Sequence, residues 1–587
     1  MSNAFDKASL VMLPHAYEEG KLYSLKPTDR SGDFTFSRGT DTATRVNASG
    51  NIEKETQNLL YQSNNFSSGF WVNSSTTETG GQSGYDGTSD AWLLTKTGAN
   101  GRIYQDISTS GVQTFSVYAK ANASNWIALW TNVGTSYFDL LSGTKGSTTA
   151  STTIGSAMES VGNGWYRCSL IFNTSITSVR IFVADSDLDV SGTSGSIYIQ
   201  DAQVEQGLVA RDYIETTTTA IYGGLTDDMP RLDYSGGATC PSLLLEPSRT
   251  NVVRNSEYFQ TNWVATGLTF ENNSTTGPEG FENATLIKTT TSYSRHNIRE
   301  SIDITGDSVF SVFAKAKELR YIQIASAGNT EQYANFDLLA SNVEDVVVQV
   351  GSLFSNAKAE DYGNGWYRLS VVCDDSNNDF YISLLETETQ GWLWTWTGAN
   401  NTDGLYIYGA QHEAGSYPTS YIPTYGSSQT RAVDNVNRLD ISSLAATYQT
   451  LFIEASVFSV NAYQYKFSLN DATGSRTNRL TMFINNDDLS LLVNAQGSSQ
   501  PSITQNDYIS ANTTYKIAAV VRDGSYALFA NGTKIGEQVG TTPSNLNSLT
   551  FGDSGNPLNQ NWEGNVNQAL VFPTALSDSE CIALTTV

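Results

Sequence analysis

The chain contains one of its own stretches twice. Asn58-Leu-Leu60 recurs as Asn251-Val-Val253, and Phe66 recurs as Phe259. Phe115-Ser-Val-Tyr-Ala-Lys120 returns as Phe310-Ser-Val-Phe-Ala-Lys315, and Phe138-Asp-Leu-Leu141 as Phe336-Asp-Leu-Leu339. Gly162-Asn-Gly-Trp-Tyr-Arg167 returns as Gly363-Asn-Gly-Trp-Tyr-Arg368. Ile197-Tyr-Ile199 with Ala202-Gln203 matches Leu405-Tyr-Ile407 with Ala410-Gln411, and Tyr213-Ile214 matches Tyr421-Ile422. The offset grows from 193 at Asn58 to 208 at Ile197. Fixed elements joined by loops of unequal length produce that drift.

The repeated pieces read as strands. Phe115 to Ala119 alternates large apolar with small or polar residues at period two. Asn163-Gly164 and Asn364-Gly365 are hairpin dipeptides, because Asn and Gly accept positive φ cheaply. Short strands with turn signals between them and no long helical period describe a β-sandwich. A leader precedes each copy: Arg45 to Gly50 with Ile52-Glu53, and Arg231 to Gly236 with Leu244 to Pro247. Both read as a strand, a glycine turn and a return strand. Beyond residue 440 the pattern changes to a third, unrelated strand series. Tyr515–Val521 turns at Asp523-Gly524 into Tyr526–Phe529, and Asn531-Gly532 leads to Lys534-Ile535. Ser577 followed by Glu580 has capping-box spacing for one short helix. The expected architecture is all-β: tandem jelly-roll β-sandwiches, two homologous copies and a C-terminal sandwich. The expected boundaries are a leader at 1–56, copy one at 57–220, a leader hairpin at 221–248, copy two at 249–432 and the final sandwich at 433–587.

Composition narrows the function. Of 587 residues only 16% are charged, and 33 Lys and Arg against 59 Asp and Glu leave a net charge of −26. A nucleic-acid binder needs a cationic face to displace counterions, so that class is excluded, and anionic membrane surfaces are poor partners for the same reason. The apolar run Ala8 to Leu13 is too short for a signal-peptide core, and no stretch reaches membrane-span length, so synthesis without general secretory export is expected. Cys168 aligns with Leu369 and Cys373 with Phe172, so these two thiols are expected to be free and buried as small apolar residues.

The final region, on Tyr515–Val521, Asp523-Gly524, Tyr526–Phe529, Asn531-Gly532 and Trp562-Glu-Gly564, resembles the laminin-G/concanavalin-like lectin fold. The two copies resemble the carbohydrate-binding-module-like sandwiches of bacteriophage virion proteins. That likeness rests on Leu244-Leu-Glu-Pro-Ser-Arg-Thr-Asn251, Phe115–Lys120, Gly162–Arg167 and Gly409–Pro423. Gly32–Arg38 with Thr44–Asn47 is similar to the start of such proteins. The resemblance implies a virion surface protein of tail-fibre or capsid-decoration type, made in the host cytoplasm. It also implies docking on other virion proteins through the N-terminal segment, a homo-oligomer such as a trimer, and host-surface or mucosal glycans as ligands.

A glycan site needs an exposed aromatic platform, because sugar C–H faces stack on rings, with Asn, Asp or Gln to bond hydroxyls. Trp392-Leu-Trp-Thr-Trp396 is the leading candidate: on a strand Trp392, Trp394 and Trp396 would share one face, and copy one has no counterpart. Core or inter-domain packing is the commoner use of such a triplet. Trp126 and Trp130 share a face similarly and are the second carbohydrate-binding candidates, with core packing the preferred reading there; Trp165 and Trp366 are read as core. No catalytic residues are assigned. His15, His296 and His412 are the only histidines, His412 aligns with Val204, and no nucleophile elbow or metalloprotease motif is present. No cofactor or metal ligand is assigned either. Asn485–Asp488 and Asp185–Asp189 are the candidates for structural calcium, beside the simpler reading as solvated acidic loops. The first expectation is a non-enzymatic virion protein displaying glycan-binding sandwiches. The alternatives are a lectin or adhesin outside a virion, and a polysaccharide depolymerase.

Overall fold

The computed structural model describes residues 2–150, 153–302, 304–373, 379–436, 439–460, 464–473, 476–552 and 561–587. The duplication is a duplication of sheets. In the first copy one sheet runs Thr153–Gly162, Trp165–Asn173, Val112–Ala121, Ser196–Gln206, Ala91–Lys96, Thr76–Gln82. The facing sheet runs Thr144–Thr149, Gly134–Asp139, Trp126–Thr131, Ile176–Ala184, Arg102–Thr109, Val72–Ser74. The second copy repeats both orders strand for strand, from Phe354–Asp361 through Ser308–Ala316 to Leu268–Thr275, and from Val347–Val350 through Phe380–Leu385 to Val264–Thr266. The Asn-Gly hairpins take the predicted form: Asn163 and Gly164 have φ of 53° and 78°, and Asn364 and Gly365 have 52° and 78°.

The repeated motifs close each sandwich rather than form a site. Asn58 Nδ2 donates to the carbonyls of Ala202 (3.0 Å) and Ile214 (2.8 Å), and Asn251 Nδ2 donates to Ala410 (3.2 Å) and Ile422 (2.8 Å). The Ser63–Tyr213 hydroxyl pair reappears as Ser256–Tyr421, each at 2.6 Å. Trp165 and Trp366 are buried, as expected. Cys168 and Cys373 are buried thiols outside any disulfide, and Cys168 is an apolar core residue whose thiol burial pushes up.

The third sandwich is not built from 433–587 alone. Its sheet runs Leu232–Asp233, Ser242–Leu245, Gly564–Phe572, Thr450–Ala455, Tyr515–Arg522, Ser525–Ala530, Thr533–Val539. One flank of Gly564–Phe572 is shared by two distant segments. Leu10–Met12 pairs at one end (Leu10 opposite Val571) and Ser242–Leu245 at the other (Leu243 opposite Val566). Leu10, Met12, Leu22, Phe34, Phe36, Leu232, Leu243 and Leu245 are buried in the same core as Leu451, Phe467 and Trp562. Whereas Ile221–Gly224 pairs with Glu55–Asn58 in a sheet of their own, residues 10–36 of the leader expected at 1–56 and 232–245 of the hairpin expected at 221–248 therefore pack into this domain. The reason is physical: these strands are too short and too apolar to stand alone, and the edge strand Gly564–Phe572 offers unpaired backbone and apolar surface together. The closing helix Asp578–Thr585 carries the predicted capping box, with both Ser577–Glu580 bonds formed.

Buried ions join the three bodies. Arg231 is fully buried, ion-paired to Glu246 at 2.6 Å and to Asp434, while Arg431 meets the same Glu246 at 2.8 Å. Burial by itself would raise the Glu246 carboxyl, but Arg431 and Arg231 bring it down to about 2. Between the two copies Lys54 pairs with Glu257 (2.7 Å) and Glu279, and Arg211 pairs with Glu279 (2.9 Å). Despite burial, Lys54 and then Arg211 hold the Glu279 carboxyl near 2. Removing one member of such a network leaves an uncompensated buried charge.

Candidate functional site

The sheet Thr144–Thr149 to Val72–Ser74 and its twin in the second copy turn their outer faces to different surroundings. The connection that leaves Phe380–Leu385 runs from residue 386 to 403, whereas its counterpart after Ile176–Ala184 runs only from 185 to 195. The longer segment folds back across its own sheet. The Leu393 amide donates to Gln323 Oε1 (2.8 Å), and Asn335 Nδ2 donates to the carbonyls of Glu388 (2.9 Å) and Gln390 (2.7 Å). Leu393 is buried against Ala325, Tyr333 and Tyr381, with Trp392 packed beside them.

Trp392, Trp394 and Trp396 therefore do not form one platform. Period-two logic needs a strand, and this segment is a turn with Leu393 at φ 42°, so the three rings diverge. Trp396 is buried against His296, with ring centroids 4.7 Å apart. Trp392 donates Nε1–H to the Ser326 carbonyl (2.8 Å) beneath the Arg295 guanidinium. Trp394 alone is open, at 52% exposure.

Trp126 and Trp130 pack in a small cluster on the outer face of their sheet, with buried Tyr137 and Phe182 and with Val190, and not in the inter-sheet core. Both tryptophans point outward from Trp126–Thr131 and are half-buried, while Ile127 and Leu129 on the opposite face enter the core. Around them the same outer face carries Ala128, Tyr137, Phe182 and Ala184. Register places Tyr104, Arg180, Trp130 and Thr135 side by side across four strands, and Arg102, Phe182, Ala128 and Tyr137 in the next row. The Arg180 guanidinium stacks on the Trp130 ring at 3.8 Å and reaches Tyr104 at 5.6 Å. Arg102 lies 5.5 Å from Phe182 and 6.0 Å from Tyr104. Burial, then the neighbouring Arg102, pushes the Arg180 guanidinium below its ordinary value. Sequence reasoning named the two tryptophans and missed Tyr104, Arg102 and Arg180. A charged residue inside the apolar run Val179-Arg-Ile-Phe-Val183 was the available signal.

The other candidates fall elsewhere. His412 is a buried residue set edge-on to Phe310 at 4.2 Å, and burial pushes its imidazole down to about 3. His296 is held between the carbonyls of Gly267 (2.7 Å) and Trp396 (3.1 Å). Asp487 and Asp488, from the first calcium candidate, lie with Asp507 so that their carboxylate oxygens are within 4.8 Å of one another, a set that could hold a divalent cation. Asp185, Asp187 and Asp189 do not converge that way. Asp185 pairs with Lys96 (2.7 Å), Asp187 accepts from the Ser147 amide and hydroxyl (each 2.8 Å), and Asp189 accepts from the Ser191 amide (2.9 Å). A cleft of about 680 Å³ opens between the leaders, the second copy and the third sandwich. Its rim charges are spent on each other: Arg45 on Glu53 (2.9 Å) and Lys358 on Glu360 (2.5 Å). Among the described residues no helix is long and apolar enough to cross a membrane.

Comparison with known proteins bears first on the third sandwich. Residues 444–581 match the concanavalin A-like lectin/glucanases superfamily. The lectin-type fold expected there is thereby shown. No curated protein sequence matches the chain. Several solved structures match parts of the chain at low identity. The CBM40 of the Ruminococcus gnavus IT-sialidase bound to α2,3-sialyllactose is 21% identical, covering 25% of this chain and 91% of that one, with a TM-score of 0.22. A heptameric SAP-like pentraxin from Limulus polyphemus is 16% identical over 25% of this chain and 72% of that one (TM-score 0.20). A putative carbohydrate binding protein from Bacteroides ovatus is 10% identical over 58% of this chain and 85% of its own length (TM-score 0.18).

Proposed function

We propose that this chain is a non-catalytic glycan-binding protein that takes its ligand on the outer face of the first sandwich. The carrying observation is the difference between the copies: 386–396 folds across this face in the second, whereas in the first the shorter 185–195 connection sends Val190 against it and leaves Trp126 and Trp130 half-buried. A sugar ring presents C–H groups to an indole and hydroxyls to the side chains beside it, here Tyr104 and Thr135. The superfamily match of residues 444–581 supports the same ligand class from a second part of the chain.

The lectin reading stands on this face and on that match. The bacteriophage setting, with docking on other virion proteins and oligomerisation, rests on the motif resemblance alone. Purified particles lacking this chain by mass spectrometry would remove that setting without touching the glycan reading.

A glycan array probed with the full chain tests the proposal. Selective binding is expected, weakened at least about tenfold by Trp130→Ala and unchanged by Trp394→Ala. Failure to bind any glycan, or indifference to Trp130→Ala, would sink it.

A further inference from the structure

This outer face carries two guanidiniums, Arg102 and Arg180, that rest on aromatic rings and, among the described residues, make no ion pair. Arg102 and Arg180 sit on neighbouring strands, diagonal to one another, since Arg102 is opposite Phe182 and Tyr104 is opposite Arg180. Both reach the ring of Tyr104, at 6.0 Å and 5.6 Å. The Nε of each is shielded from solvent with no acceptor. The contact with an oxygen acceptor is a single bond from Arg102 Nη1 to the Asn100 carbonyl (3.1 Å).

In a chain of net charge −26, acidic partners are abundant, and several arginines find them. On the corresponding face of the second copy, Arg299 pairs with Asp379 at 2.8 Å and Arg320 pairs with Asp337. The first copy instead sets two like charges side by side on aromatic rings, with Trp130 at 3.8 Å under one of them. Like charges placed diagonally across a sheet work against folding. Guanidinium forks held flat on rings are suited to gripping a planar oxyanion in two-point fashion.

We infer that the ligand of this face is an anionic glycan, a saccharide carrying a carboxylate or sulfate, with the oxyanion on Arg102 and Arg180 and an adjoining sugar ring on Trp130 or Trp126. This rests on the glycan reading above and goes one step further, to the class of sugar. It also accounts for how an acidic protein attracts an acidic ligand: the long-range field is repulsive, so recognition has to come from a short-range, partly desolvated cationic pair. Of the facing acidic groups, Asp106 lies nearest along the strand, and Asp187 is occupied by Ser147.

The test uses the full chain on an array of matched pairs: uronic-acid, sialylated and sulfated oligosaccharides, each beside its neutral counterpart. The acidic member is expected to bind at least about tenfold tighter than the neutral one. Arg102→Gln with Arg180→Gln should erase that preference, bringing the acidic member down to the level of its neutral counterpart. Arg180→Lys, which keeps charge but loses the fork, should fall between. The carboxylate and sulfate arms tell which oxyanion is held. Because the pair is mutually repulsive, the double variant should melt no lower than the parent, which separates lost recognition from lost folding. Equal binding of acidic and neutral members, with Trp130 still required, would overturn the anionic class and leave the glycan reading standing. An acidic preference that survives the double variant would overturn the assignment to these arginines. Binding to no glycan at all would remove both.

Discussion

Phe34→Ala should unfold the wrong end of the molecule. Phe34 lies in the first forty residues, yet its ring is fully buried in the third sandwich, 5.9 Å edge-on from Phe551, which in turn lies 4.7 Å from Phe467. Truncating a buried phenylalanine costs about 3–5 kcal/mol through lost transfer energy and the cavity left behind. For a domain of this size that lowers the melting midpoint by on the order of 10 °C. Calorimetry of the full chain should show the shift, and hydrogen exchange should locate it. Strands Tyr515–Arg522 and Gly564–Phe572 should lose protection, although they are far from residue 34 in sequence. Protection lost only around residues 17–46, with those two strands untouched, would refute the claim that the N-terminal segment completes the C-terminal core.

Three further outcomes follow from buried charge. Arg231→Leu takes one buried cation from both Asp434 and Glu246 and should cost about 3–5 kcal/mol, read by denaturant unfolding; a loss below about 1 kcal/mol would contradict the account. Glu246 and Glu279 are held near 2, against about 4.3 when unfolded. Their contribution is present above that unfolded value and is lost as pH falls through the folded one, so the melting temperature should drop steeply between about pH 4.5 and 2; a flat profile there would count against the junctions. His412, near 3 when folded against about 6.5 unfolded, binds its proton only on unfolding, so acid drains stability from pH 6.5 downward. His412→Val, which installs the first copy's residue, should therefore stabilise more at pH 4 than at pH 8, and an equal effect at both would show that the imidazole is not held neutral.

Much of the fold was legible because it is local. The Asn-Gly hairpins, the capping box at Ser577 and the period-two strands all follow from a few neighbouring residues, and each formed as expected. The duplication was legible because Asn58, Tyr213 and their twins make the same backbone clamps twice. Pairing of Leu10–Met12 with Gly564–Phe572 was not, since no local pattern says which distant edge an apolar tripeptide will complete. The site was half legible. Trp126 and Trp130 were correctly placed on one face but assigned to packing, because alternation cannot tell an inner face from an outer one. Trp392 to Trp396 misled because one residue at positive φ breaks the alternation on which the shared face depended.

The central claim is that the first sandwich binds glycan on its outer sheet face. A structure of the full chain in complex with its best array ligand tests it most directly. The account predicts a saccharide across Tyr104, Arg180 and Trp130, with the second copy's face still closed by residues 386–396. A saccharide seated only on the third sandwich, or on Trp394, with the Trp130 face empty, would contradict it.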